Sequence, residues 1–133
     1  MADKLHFDLV SPEKRLFAGE VDMVVVPGEE GDFGVLPDHA PVMSAIRPGA
    51  ITVHNEGETT RTFILGGFAE VTPAGLTVLA AEAIDLATLD AEAVATDVAN
   101  AREDVADAKD DATRAAAQAK LDRLEALQAA LVN

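Results

Sequence analysis

In the first part of the chain, up to about residue 83, apolar and polar positions alternate with the two-residue period of half-buried strands. The clearest run alternates Leu5, Phe7 and Leu9 with polar neighbours. Turn sequences such as Asn55-Glu56-Gly57 and Pro73-Ala74-Gly75 separate pairs of these runs and predict hairpins. Short strands at this spacing indicate a β-sandwich or flattened barrel.

The segment from residue 25 to residue 49 is rich in turn-forming residues, with four Gly and four Pro. Gly permits positive φ, and Pro fixes φ while lacking a backbone donor, so this segment is predicted to form tight turns between short strands. The residues are Gly28, Gly31, Gly34, Gly49, Pro27, Pro37, Pro41 and Pro48.

From Thr88 onward the pattern becomes helical, because Gly and Pro disappear and Ala, the best helix former, dominates. Thr88 is the predicted N-cap of a first helix, with Asp90 and Glu92 in its first turn. Two apolar stripes then recur at helical spacing. The first comprises Val94, Val98, Ala101 and Val105, and the second comprises Ala117, Leu121, Leu124 and Leu131, with Leu127 beside it.

The junction between the stripes, Asp107 to Asp111, contains neither Gly nor Pro, and Asp110 or Asp111 is a candidate cap for a second helix. One continuous helix, about 65 Å long at roughly 1.5 Å per residue, is the competing state. The seam of a hairpin would be thin, so docked and extended arrangements both stay open. We predict an α+β protein with a β-sandwich domain over residues 1–86 and a two-helix hairpin over residues 87–133.

Composition excludes several classes of function. The formal net charge of -14 disfavours nucleic acid and anionic lipid surfaces as partners, since both are negatively charged. The absence of cysteine excludes disulfides and cysteine-ligated metals. Neither a signal-peptide pattern nor an apolar run of 18 residues is present, so we expect a cytoplasmic chain that reaches a membrane only through a protein partner.

No pattern in the chain predicts a catalytic, cofactor or metal site. Gly28, Gly31 and Gly34 lack the Lys and Ser/Thr of a phosphate loop, and the acidic residues among them would repel phosphate. Asp38-His39 has no serine in a nucleophile motif, and the three histidines are scattered. Glu29, Glu30 and Asp32 do not have the spacing of a calcium loop. The favoured interpretation of these glycine-rich and acidic residues is a set of turns and a solvated acidic loop.

Four motifs, in order, resemble the ε subunit of bacterial F-type ATP synthases over nearly the whole chain. They are FDLVSPEKRLFAG at Phe7 to Gly19, the turn-rich segment from Val26 to Gly49, GGFAEV at Gly66 to Val71, and TVLAAEA at Thr77 to Ala83. The resemblance implies an N-terminal β-sandwich and a C-terminal two-helix domain. It also implies a non-catalytic rotor subunit that couples proton flow to ATP synthesis carried out elsewhere, held peripherally at the cytoplasmic face of the membrane.

The same resemblance implies the partners. The sandwich would clamp the γ subunit near Ser11 and rest on the polar loops of the membrane c-ring. The segment from Glu29 to His39 would face the c-ring, with Asp32 and His39 as the expected contacts. In many members the helices extend along γ, meet the catalytic α and β subunits and block ATP hydrolysis. The tail here has eleven acidic and five basic residues from Asp85 onward, which weakens an electrostatic brake.

Some members of that family bind ATP through an I/L-D-x-x-R-A motif in the tail. The corresponding residues here begin with Leu89 and Asp90, but Ala93 stands in place of the Arg and Val94 in place of the Ala. The phosphate-facing cation is absent, so we predict no cofactor. A nucleotide-sensing regulator of the same assembly and a small β-sandwich enzyme or ligand-binding domain are the alternative hypotheses.

Overall fold

The structure, a computed structural model, describes residues 3–132, with the side chains described up to residue 131. The chain divides into two compact units, Met1–Asp85 and Leu86–Asn133. The first unit consists of strands and the second of helices. The predicted α+β class, with a β-domain followed by two helices, is confirmed.

Ten strands make up the β-domain. They are β1 (Leu5–Val10), β2 (Arg15–Val21), β3 (Met23–Gly28), β4 (Gly31–Val35), β5 (Val42–Ile46), β6 (Gly49–Asn55), β7 (Glu58–Ile64), β8 (Gly67–Thr72), β9 (Gly75–Ala80) and β10 (Ala83–Asp85). The predicted hairpins are present. Glu56 and Gly57, which connect β6 to β7, have φ of 54° and 82°, as a tight turn with two left-handed residues requires.

The strands form one continuous ten-stranded sheet that folds over into two five-stranded layers. One layer has the order β4-β3-β6-β7-β10 and the other the order β5-β8-β9-β1-β2. A single pair, Gly28 with Ile46, joins β3 to β5 at one corner. At a second corner Leu65 N donates to Glu82 O over 3.0 Å, where β7–β8 and β9–β10 pass from one layer to the other. The result is a sheet curled into a sandwich, with β10 and β2 at the two ends of the strand order.

The core lies between the two layers and is wholly apolar among the described residues. Its buried side chains come from both layers and include Phe7, Val24, Ile51 and Val78. The alternating residues Leu5, Phe7 and Leu9 of β1 all reach this core, because successive side chains point to opposite faces of the sheet. The alternation in the sequence therefore corresponds to the inner face of each layer.

The helical unit begins with a 3-10 turn, Leu86–Thr88, followed by α1 (Ala91–Asp107) and α2 (Asp111–Val132). The prediction that Thr88 caps the first helix is wrong. Thr88 belongs to the 3-10 turn that buries Leu86, and Asp90 is the N-cap, accepting a hydrogen bond from Glu92 N over 2.9 Å. An Asp at this position satisfies a free backbone donor and also complements the positive end of the helix dipole.

The two apolar stripes form a thin seam between α1 and α2. Val94, Val98 and Ala101 are buried on α1, and Leu121, Leu127 and Ala130 are buried on α2. The remaining stripe residues, Val105, Ala117, Leu124 and Leu131, are half-buried. Arg102 Nη2 lies 3.0 Å from Glu125 Oε2 and adds one exposed ion pair across the seam. The structure adopts the hairpin rather than one continuous helix, with Asp110 capping α2 through a 2.7 Å bond from Thr113 N.

Candidate functional site: the two ends of the β-domain

The acidic turn, defined here as Glu29 to Asp32, connects β3 to β4 at one end of the β-domain. Gly28 pairs with Gly31, so Glu29 and Glu30 occupy the tip. A Cβ at Gly28 would lie 2.7 Å from the Gly31 carbonyl oxygen, and Gly31 has φ of 139°, so the turn requires glycine at both positions. Two of the glycines that resemble a phosphate loop, Gly28 and Gly31, thus flank a hairpin turn, whereas Gly34 lies within β4 and pairs with Val25.

Arg47, just after β5, holds the acidic turn from the side. Its Nη1 donates to the Gly28 carbonyl over 2.6 Å, and its Nη2 forms an ion pair with the Asp32 carboxylate. The sequence pattern alone does not single out this residue. One signal was available, since Arg47 is the only Lys or Arg between residues 16 and 60, but its partner depends on how β3, β4 and β5 come together.

The charges of the acidic turn are not equivalent. Asp32 is paired with Arg47, whereas the exposed side chains of Glu29 and Glu30 have no hydrogen-bond or ion-pair partner among the described residues. The tip therefore carries two solvated negative charges on a backbone whose position is determined by its neighbours. Such a surface suits a partner with cationic or hydrogen-bond-donating groups.

Ser11 lies at the same end of the β-domain, in the turn after β1. Its hydroxyl donates to the Lys14 carbonyl over 3.2 Å. Beside it is a groove of about 500 Å³, lined by Val10, Leu79 and their neighbours. Leu79 pairs with Phe68 on the outer face, and each is 55% exposed. We call Val10, Phe68 and Leu79 the apolar patch; it is the kind of surface that protein partners cover.

His39 lies at the opposite end. It belongs to a turn after β4 in which Asp38 has a φ of 64°, and His39 Nδ1 donates to the Ala40 carbonyl over 2.7 Å. Asp32 is the second residue of β4, and the three remaining residues of the strand carry the chain about 10 Å away from it at roughly 3.3 Å per residue before this turn begins. The structure therefore brings Ser11 and the acidic turn to one end, and it does not bring Asp32 and His39 together.

The His39 end contains a second cluster that sequence analysis missed. His39, His6 and Glu20 line a polar cavity of about 390 Å³. His6 Nδ1 lies 2.6 Å from Glu20 Oε2, and Nε2 lies 3.1 Å from Asp8 Oδ2. The hydrogen bond with Glu20, together with the charge of Asp8, raises the pKa of His6. His6 and Glu20 are direct partners across β1 and β2, which only the strand register reveals.

The residues of the altered ATP motif have structural roles in the helical unit. Asp90 caps α1, Val94 is buried in the seam, Leu89 is half-buried and Ala93 is exposed. The carboxylate of Asp90, the one polar residue that the motif retains, is thus engaged in capping α1. Over residues 3–132, no group of three or more His, Asp or Glu is arranged to hold a metal ion, and no helix is both long and apolar enough to cross a membrane.

Comparison with known proteins agrees with this fold. Residues 4–86 match the family described as ATP synthase, Delta/Epsilon chain, beta-sandwich domain. The chain is 69% identical over 129 residues to the ATP synthase epsilon chain of Maricaulis maris, covering 97% of each protein. It is 60% identical over 129 residues to that of Parvibaculum lavamentivorans, covering 96% of this chain and 98% of the relative. The chain belongs to the ATP synthase epsilon chain family.

Two solved structures have a similar fold. A chain from the Euglena gracilis mitochondrial ATP synthase, in a complex of OSCP, F1 and the c-ring, superimposes with a TM-score of 0.87 at 28% identity, covering 98% of this chain and 83% of that one. A chain from the Tetrahymena thermophila mitochondrial ATP synthase central stalk and c-ring has a TM-score of 0.68 at 12% identity, covering 98% of both. The second likeness concerns the fold alone.

Proposed function

We infer that the protein is a non-catalytic central-stalk subunit of a proton-translocating F-type ATP synthase. It couples proton flow through the c-ring to ATP synthesis in F1, and it is held at the cytoplasmic face of the membrane through the complex. The observation that carries this inference is the 69% identity to an ATP synthase epsilon chain over nearly the whole of both proteins. The likeness to a chain of the Euglena complex supports the same role.

Co-purification tests this function. A tagged full-length chain, added to a membrane extract of its own source, is expected to recover the γ, α and β subunits. Recovery of none of them would overturn the assignment and favour the alternative, a small β-sandwich enzyme or ligand-binding domain.

The γ subunit is proposed to dock beside Ser11. The apolar patch supports this choice, because exposed Phe68 and Leu79 side chains gain free energy when a partner covers them. Changing both to Ser should reduce the recovery of γ. Leu36→Ser is a matched control, since Leu36 is 54% exposed but follows β4 at the His39 end. Equal losses from both changes would contradict docking at the apolar patch.

The acidic turn is proposed to face the polar loops of the c-ring. The two solvated charges at its tip support a contact of this kind. Because Asp32 and His39 lie at opposite ends of β4, a contact made by one end uses only one of them. Charge reversal of Glu29 and Glu30 should lower coupled synthesis without unfolding the protein, whereas added bulk at His39 tests the other end. An effect from His39 alone would reassign the c-ring contact.

The helical unit is proposed to reach the α and β subunits and, when extended, to inhibit ATP hydrolysis. Its thin seam supports the idea that the hairpin opens readily. We expect no ATP binding, because Ala93 removes a cation whose charge-assisted bond contributes about 1.5–3 kcal/mol. Calorimetric titration of the full chain tests this, and a micromolar Kd would contradict it. Ala93→Arg places a cation back at an exposed position, with Ala95→Arg as its control.

A further inference from the structure

We propose that Arg47 is a positioning residue that holds the acidic turn in the orientation in which it meets its partner. The inference rests on the proposed function, since it concerns how the turn is presented during coupling. It also assigns Asp32 a new role, as the anchor of the turn rather than a contact.

Four interactions tie the turn to the end of β5. Arg47 Nη1 reaches the Gly28 carbonyl, and Nη2 reaches the Asp32 carboxylate, so one guanidinium spans both strands that enter and leave the turn. Arg47 N donates to the Pro27 carbonyl over 3.0 Å. Glu29 N, at the tip, donates to the carbonyl of Ala45 on β5 over 2.9 Å.

The turn needs such a clamp because its own backbone is permissive. Gly28 and Gly31 flank the tip, and glycine loses more conformational freedom on ordering than any other residue. A Cβ at Gly31 would meet no atom within 4 Å, so no packing restrains that side of the turn. The Arg47 side chain is the described group that bridges Gly28 and Asp32.

The clamp has a consequence for electrostatics. Arg47 compensates the charge of Asp32, which leaves Glu29 and Glu30 as the solvated charges that a partner meets. Both glutamates precede Gly31, so their direction depends on the conformation that Arg47 stabilises. A planar guanidinium with two parallel donors suits this task, whereas a Lys ammonium supplies a single point of charge.

Amide hydrogen exchange on the full chain tests the positioning role. Arg47→Gln and Asp32→Asn should each speed exchange at residues 29–32 by about threefold or more, a modest factor because the pair is exposed. Arg47→Lys should fall between wild type and Arg47→Gln. Glu29→Gln should leave the exchange unchanged. Arg61→Gln is the matched control, since it removes the same charge from β7 without touching the turn. Unchanged exchange in Arg47→Gln would overturn the proposal.

Coupled ATP synthesis in the assembled complex supplies the second measurement. Arg47→Gln should lower synthesis about twofold at unchanged subunit stoichiometry, with partial rescue in Arg47→Lys and no loss in Arg61→Gln. Faster exchange with undiminished synthesis would overturn the link between the turn and coupling. A failure of the proposed function looks different, because the wild-type chain itself would then fail to assemble with γ, whatever the exchange rates.

Discussion

The two units of this chain maintain their structures by different means. The β-domain relies on backbone positions that tolerate a single residue type and on pairings between strands far apart in the sequence, such as Phe7 of β1 with Leu76 of β9. The helical unit relies on a thin apolar seam and on exposed caps, Asp90 and Asp110. The β-domain therefore keeps its surface residues in fixed positions, whereas the helical unit is maintained by interactions that are individually weak.

The largest effect is expected at Gly67, where β8 enters the corner between the layers. Gly67 has φ of 135°, and a Cβ there would lie 1.9 Å from the Leu79 carbonyl oxygen. Gly67→Ala should destabilise the β-domain by about 4 kcal/mol or more, a large share of the typical 5–15 kcal/mol. Thermal unfolding followed by circular dichroism measures it.

Gly57→Ala is the control for this prediction. Gly57 also has a positive φ, of 82°, but a Cβ there would meet no atom within 4 Å. The cost should therefore be only the backbone penalty, about 1–2 kcal/mol. Similar losses for the two variants would mean that the corner at Gly67 can move away from the added methyl group.

A smaller effect is expected in the seam of the helical unit. Val98 is 1% exposed, and Val98→Asp places a charge where no partner is available, at a cost of about 3 kcal/mol. Ala99→Asp makes the same change at the neighbouring exposed position and should cost little. Hydrogen exchange should show loss of protection in α1 and α2 with the β-domain strands still protected. Unaltered protection in the helices would show that the seam contributes less than its burial suggests.

Local patterns predicted much of this architecture, because hairpins and helices depend on nearby residues. The turns at Asn55-Glu56-Gly57 and Pro73-Ala74-Gly75, the two apolar stripes and the cap at Asp110 are of this kind. The prediction of Thr88 as the cap is wrong because Thr88 is the last residue of a 3-10 turn, and Asp90, two positions further on, also has a side chain suited to capping.

The interactions that shape the candidate site could not be predicted from the sequence pattern. Arg47 meets Asp32 fifteen positions away and His6 meets Glu20 fourteen positions away, and both pairs depend on strand register. The same limit concealed that Asp32 and His39, seven positions apart, lie at opposite ends of a strand. A shift of register by one residue would reverse every such side-chain assignment.

A smaller effect again is expected at the junction between the helices. The backbone N–H and hydroxyl of Thr113 donate to Asp110 and lower the pKa of its carboxyl group. A lowered pKa stabilises the folded state above the unfolded value, near 3.9, and that contribution is lost as the pH falls through the folded value. The helical unit should therefore weaken in acid.

Substitutions at the cap separate its charge from its hydrogen bonds. Asp110→Asn should keep the helices while removing this part of the acid dependence, since Asn is also a good cap. Asp110→Ala should reduce helical content at neutral pH, measured by circular dichroism at 222 nm. Asp104→Ala removes an equal charge from an exposed position of α1 and serves as the control. Equal helicity in the two Ala variants would show that the seam alone maintains the hairpin, without the Asp110 cap.

The smallest effect is expected at His6, on the surface of the β-domain. The Glu20 hydrogen bond and the Asp8 carboxylate raise its pKa. The nearby cations are Arg15, on β2 beside Asp8, and Lys4, just before β1 beside Asp22. A raised pKa means that the stabilisation is complete below the unfolded value of about 6.5 and is lost as the pH rises through the folded value. The pairing of β1 with β2 should therefore loosen slightly in alkaline solution, which is opposite to the acid weakening of the helices.

NMR titration of the His6 ring measures this effect. Glu20→Gln should move the midpoint of the titration down towards 6.5, whereas Glu70→Gln, an equal charge change on β8, should not. An unchanged midpoint in Glu20→Gln would mean that the cross-strand contact does not persist in solution, and His6 would then give the β-domain no pH dependence opposite to that of the helices.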